Sequence, residues 1–185
     1  MYSVHKKKPI RTCKKSLERY TSYRSYIKED FHHSCGYCGD SDEFYGHYHI
    51  DHFKPQGDAR FVHLKTEYSN LVYSCPFCNL SKSDTWLDQD EFIDPCCATY
   101  DSHLKRNDKG KIEPITKNGK NMYKHMKLYL LRHELIWVIE KILVQQEELL
   151  KLRDTLEEDS DKLKVADAFI ELQNTIKSYT RLYME

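Results

Sequence analysis

Apolar positions recur at helical spacing over the last third of the chain. Leu128, Leu131, Leu135, Val138, Ile142, Leu149, Leu152 and Leu156 step by threes and fours, and Gln145 fills the one polar position in the series. This is a heptad seam and predicts a long amphipathic helix. Glu157, Glu158, Asp159, Ser160 and Asp161 interrupt it. Val165, Phe169, Leu172, Ile176, Tyr179 and Tyr183 then resume the same stepping in a second helix. Two helices joined by a short polar link make an antiparallel hairpin; a dimeric coiled coil is the alternative use of the seam. Near the other terminus, Leu17, Tyr20, Tyr23, Tyr26 and Ile27 predict a helix from about Thr12 to Glu29. From Phe31 to about Lys120 no long period appears. That stretch reads as short strands and loops, with Lys111 to Thr116 forming a hairpin arm after the turn Asp108-Lys109-Gly110.

Charge changes this picture. The chain has 185 residues, with 29 Lys and Arg against 29 Asp and Glu. Balance excludes a uniformly basic coat and an acidic tail. The balance is uneven along the chain, however. Residues 1–30 carry nine basic and three acidic residues, net +6; residues 31–120 are net −4 and residues 121–185 net −2. The expected divisions are therefore a basic N-terminal arm over 1–30, a compact middle over 31–120 and a helical hairpin over 121–185. A solvated terminus and a phosphate-contacting arm both fit the first of these. The longest apolar run, Leu135 to Ile139, is too short to cross a membrane. No apolar stretch follows the lysine-rich start, so a secretory signal is not expected and a cytoplasmic location is.

Seven cysteines remain to be placed. An odd number in a reducing compartment argues against a disulfide framework. Cys35-Gly36-Tyr37-Cys38 and Cys75-Pro76-Phe77-Cys78 are two C-x-x-C pairs, 36 residues apart. One such pair alone also suits redox chemistry. Two of them supply the four soft, tetrahedral ligands of a structural Zn²⁺, whose binding energy substitutes for a large core. Cys13, Cys96 and Cys97 fall outside the pattern and read as plain thiols.

Between the pairs lie His49-Ile50-Asp51-His52-Phe53-Lys54-Pro55 and Asn70-Leu71-Val72-Tyr73-Ser74, and the second pair runs on into Asn79-Leu80-Ser81-Lys82. Asp and Asn oxygens are hard ligands suited to Mg²⁺. Histidine offers a base near neutral pH. In their order and spacing these residues resemble the HNH (ββα-metal) endonucleases, in the subgroup stapled by zinc knuckles. The likeness covers about residues 35–85. It implies an α+β fold: a small zinc-stapled ββα-metal core, here with an N-terminal helical arm and a C-terminal long-helix hairpin.

The resemblance also implies roles. His52 is the general base and Asn70 braces the loop between the strands. Asp51 and Asn79 ligate a catalytic Mg²⁺ or Mn²⁺, with asparagine standing where many members carry histidine. Cys35, Cys38, Cys75 and Cys78 hold the zinc, and Lys54 and Lys82 are candidate phosphate contacts. The implied reaction is hydrolysis of DNA to a 5′-phosphate and a 3′-hydroxyl. His47 and His49, beside the motif, together with His32, His33 and His63, are read as structural or surface groups. The blocks His49 to Pro55 and Asn70 to Asp84, with the later long helices, further resemble small HNH proteins of prokaryotic anti-phage defence (Septu and retron-associated types). That likeness implies a partner ATPase docked on the C-terminal helices. Two other readings stand beside it: a zinc-stapled nucleic-acid-binding module without catalysis, and a free-standing restriction or homing-type nuclease.

Overall fold

The computed structural model describes residues 1–44, 46–86 and 92–184, with side chains up to 182. Tyr183, the last position of the second helical series, lies outside the described side chains. The chain divides into two compact units, Met1–His133 and Glu134–Glu185. The basic residues 1–30 fall within the first unit, and so do residues 121–133.

In the first unit, the N-terminal segment is mostly not the expected helix. Residues 11–17 run without helix, a 3₁₀ turn covers Tyr20–Tyr23, and helix α1 spans only Arg24–Asp30. Side chains hold the backbone straight. The Asp30 carboxylate accepts from the Thr12 amide and hydroxyl, each at 2.6 Å. The Tyr23 hydroxyl accepts from the Leu17 amide at 2.8 Å and donates to the Lys15 carbonyl at 3.0 Å. These tertiary bonds replace those a helix would have made, and propensity loses to them. Tyr23, Ile27 and Phe31 are buried in the core.

Strand β1, His49–His52, pairs antiparallel with β2, Leu71–Ser74, with Asp51 opposite Val72 and His52 opposite Leu71. Helix α2, Pro76–Lys82, follows β2 directly. Its start is written in the sequence: the Cys75 sulfur caps it by accepting from the Cys78 amide, and Pro76 occupies the first turn, where no amide donor is needed. The order strand, strand, helix is a ββα unit. Helix α3, Tyr100–His103, leads into the expected hairpin, which pairs β3, Leu104–Arg106, with β4, Ile112–Pro114. Gly110 closes its turn at φ 88°, a conformation glycine adopts without strain.

Helix α4, Lys117–His125, ends in a left-handed Lys127 (φ 52°), which breaks the long seam. Leu128 is therefore a core residue of the first unit, in the turn after α4. Helix α5 begins only at Leu131 and runs to Thr155; α6 spans Asp159–Met184. Within the second unit, residues 145–152 of α5 and 168–175 of α6 line a common groove, as in an antiparallel pair. The polar seam position is Gln146 rather than Gln145. Gln146 is buried and donates to the Phe169 carbonyl at 3.4 Å, while Gln145 is exposed.

One buried cluster locks the first unit together. The Arg106 guanidinium, 1% exposed, donates to the carbonyls of Gly110 and His133 at 2.7 Å, and to Cys38. It also pairs with the Asp40 carboxylate at 3.0 Å, whose other oxygen bonds His133 Nδ1 at 2.6 Å. A neutral side chain at 106 would leave Asp40 with a single partner in a dry site. Arg106→Met should lower unfolding free energy by about 3–5 kcal/mol, read from the urea midpoint.

Candidate active site

The sulfurs of Cys35, Cys38, Cys75 and Cys78 lie within 4.8 Å of one another, and all four residues are buried. Cys38 and Cys75 sulfurs are 3.9 Å apart. Ligands ~2.3 Å from a tetrahedral zinc lie roughly 3.8 Å from each other, so the set fits Zn²⁺. Its electrostatics fit as well. Burial pushes the Cys38 thiol well up. Against the same burial, hydrogen bonds from the other three sulfurs hold Cys35 well below the ordinary thiol range. Such a group ionises fully only around a cation. Cys13, Cys96 and Cys97 stay outside the cluster, and burial pushes Cys96 up to about 12.

The cluster joins the two ends of the ββα unit, and the loop between β1 and β2 is fixed by Asn70. That side chain, 5% exposed, accepts from the Lys54 amide at 2.9 Å. It donates to the Lys54 carbonyl at 3.0 Å and to the Leu64 carbonyl at 3.3 Å. One asparagine thus grips both ends of the segment from 54 to 64. The same segment orients His52, whose Nε2 lies 2.9 Å from the Lys65 carbonyl. A carbonyl only accepts, so Nε2 carries the proton and Nδ1 keeps its lone pair. Burial lowers the His52 pKa below its ordinary value of 6.5, so the ring is neutral at pH 7. The Tyr20 ring meets it edge-on, with centroids 4.7 Å apart.

Asp51 is 8% exposed and shares its carboxylate between two donors. The Tyr37 hydroxyl donates to Oδ2 at 2.5 Å. The Lys82 ammonium lies 3.2 Å from Oδ2 and 3.4 Å from Oδ1. Burial raises the Asp51 pKa, and the Lys82 charge and the Tyr37 hydroxyl pull it back. Lys82 is fully buried and also donates to the His52 carbonyl at 2.6 Å. It therefore braces the two motif residues from inside. The phosphate contact expected of it is not available from that position, because the helical turn after Asn79 points Lys82 into the protein.

Asp51 and His52 open into a cleft of about 260 Å³, lined also by Tyr20, His49, Asn79 and Asp84. Three residues expected at one site, Asp51, His52 and Asn79, thus meet there. Asn70 stands behind them as a brace. Lys54 is half-buried, its ammonium 5.3 Å from the Phe61 ring centroid. His49 also lines the cleft and is exposed, in keeping with its reading as a surface group.

Comparison with known proteins agrees with this geometry. Residues 35–85 match the family model of the HNH endonuclease. The matched HNH segment begins at Cys35 and ends at Thr85, just past α2. No curated protein and no solved structure matches the chain. An HNH domain is metal-dependent; in the matched segment the Asp51 carboxylate, the Asn79 amide and the His52 imidazole line one cleft, and the four cysteines belong to the same segment.

Tyr37 and Tyr20 escaped the sequence reading. Tyr37 was visible inside the first knuckle, but nothing in a C-x-x-C pair tells where its middle side chains point. Tyr20 reaches the cleft only because the N-terminal segment is extended. The cysteine cluster carries its own test. The purified protein should contain one zinc per chain by elemental analysis. Cys75→Ser should lose most of that zinc and melt well below the parent in circular dichroism.

Proposed function

We propose that the chain is a metal-dependent HNH endonuclease that hydrolyses DNA to 5′-phosphate and 3′-hydroxyl ends. The observation that carries this reading is the neutral His52, its Nε2 proton committed to the Lys65 carbonyl, beside Asp51 and Asn79 in one cleft. His52 takes the proton of the attacking water on Nδ1. Nε2–H stays on the carbonyl throughout, so the imidazolium formed is stabilised without turning. Asp51 and Asn79 hold Mg²⁺ or Mn²⁺, which when bound offsets negative charge on the phosphate and the leaving oxygen. Asparagine in place of histidine favours these hard ions over zinc at this position. Asn70 and Lys82 keep the base and the carboxylate in place, Asn70 through the loop and Lys82 from beneath.

Nucleic acid as substrate is supported by the exposed lysines and arginine of the ordered N-terminal segment. Lys14, Lys15 and Arg19 precede Tyr20, which lines the cleft. A phosphate backbone entering past Tyr20 would meet them first, with Lys54 on the loop side. A binding module without catalysis would have no use for an oriented, neutral His52.

We further propose the defence context, with the partner ATPase on the second unit. Leu152, Leu163 and Ile170, each about half-exposed or more, are apolar side chains that the second unit leaves open to a partner. A chain ending at residue 133 should lose such a partner in co-purification and keep its DNA cleavage; retained binding would dismiss the docking surface.

The catalytic reading predicts metal-dependent nicking or cutting of plasmid DNA. His52→Ala should lower the rate ~10²–10⁴-fold with DNA affinity unchanged. Because His52 must be neutral and its pKa is depressed, the rate should rise with pH through a midpoint below 6.5 and then level off. A bound cation pushes that midpoint further down. Equal cleavage by parent and His52→Ala would remove the base assignment.

A further inference from the structure

The mechanism above leaves Tyr37 without a task, although it is fully buried and its hydroxyl reaches the carboxylate in the cleft. Its backbone belongs to the first cysteine knuckle, and that knuckle is clamped on every side. The Gly36 amide donates to the Tyr73 carbonyl at 2.7 Å, tying the knuckle to β2. The Gly36 carbonyl bonds His5 Nε2 at 2.7 Å, and the Tyr37 carbonyl accepts from the Tyr100 hydroxyl at 2.6 Å. A Cβ at position 36 would sit 2.6 Å from the Phe31 ring and 2.7 Å from Val72, so the knuckle lies flat on the core. Cys35 and Cys38 hold the two ends to the sulfur cluster. Tyr37 is therefore a rigid rod with one end fixed at the cysteines and the other on Asp51.

We propose that Tyr37 is a positioning residue through which the first cysteine knuckle sets the Asp51 carboxylate for the divalent ion. The inference rests on reading Asp51 as a metal ligand. The geometry gives the reason for such a device. The Lys82 ammonium is nearly equidistant from both Asp51 oxygens, at 3.2 and 3.4 Å. Alone, it could draw both onto itself and compete with the ion. The Tyr37 hydroxyl fixes Oδ2 in one direction and so fixes the plane of the whole carboxylate. A neutral donor does this without adding a charge that would repel the ion. The cysteine cluster thereby acts on ion binding at the cleft as well as on folding: a disturbed knuckle moves the rod, and the rod moves the ligand.

The test is Mn²⁺ binding to the zinc-loaded full chain, with free Mn²⁺ read by electron paramagnetic resonance. Tyr37→Phe should weaken Mn²⁺ roughly tenfold, as expected for one hydrogen bond to a charged group, while zinc content stays at the parent level. Asp51→Asn should weaken it more. In the double variant Tyr37→Phe should add nothing, because both changes act through one carboxylate. Parent-like Mn²⁺ affinity in Tyr37→Phe, with Asp51→Asn weakened, overturns the inference and leaves the metal-ligand reading standing. Parent-like affinity in Asp51→Asn overturns that reading and the inference together. Should Tyr37→Phe lose zinc, 3-fluorotyrosine placed at 37 keeps the hydroxyl and gives a second readout. Its ¹⁹F resonance should move when Mg²⁺ is added to the parent and stay still in Asp51→Asn; a resonance indifferent to Mg²⁺ in the parent overturns the proposal.

Discussion

Four buried sulfurs decide where everything else in the first unit can be. The two C-x-x-C pairs are far apart in sequence, and the strands between them are four residues each. An isolated pair of such strands is marginal in water. Closing the chain at the cysteines removes most of the loop freedom that would oppose it. The cluster also fixes a direction: helix α2 starts on one of its sulfurs, and Asn79 in that helix lines the same cleft as Asp51. The geometry of the cleft is in this sense a by-product of a folding constraint.

The site places polar and charged side chains out of contact with most of the solvent, a costly combination that the surrounding bonds offset. Asp51, His52, Asn70 and Lys82 are all nearly buried, and each has a specific partner. A carboxylate and an ammonium removed from water each carry several kcal/mol of desolvation penalty, met here by pairing and by extra donors. The second buried ionic group, Asp40 with Arg106 and His133, follows the same rule behind the first knuckle. Each group reaches the first knuckle directly, one through the Tyr37 hydroxyl on Asp51 and the other through Arg106 on the Cys38 carbonyl.

Much of this was legible in the chain itself. The cysteine spacing, the Asp51-His52 pair, Asn70 and Asn79 are short-range patterns, and their chemistry depends on residue type. The β3–β4 hairpin was legible for the same reason, through Gly110. What was not legible depended on distant partners. The segment from 12 to 17 has helical spacing, yet Asp30 and Tyr23 hold it extended. Lys82 has the sequence position of a surface charge, and only the tilt of α2 shows it buried under Asp51. A strict repeat over α5 puts its polar position at Gln145, one residue short of the buried Gln146. Each miss is a case of tertiary contact overruling a local rule.

The bond between His52 and Lys65 has an evolutionary consequence. Lys65 supplies only a carbonyl oxygen, which every amino acid carries. No substitution at 65 can delete the group that selects the tautomer of His52, provided the loop keeps its path. That path is held by Asn70 through other main-chain atoms, at Lys54 and Leu64. The side chains from Asp58 to Leu64 line no part of the cleft and make none of these bonds. They can change in size and charge while His52 stays aligned, so a stretch free to vary can lie directly against a fixed one.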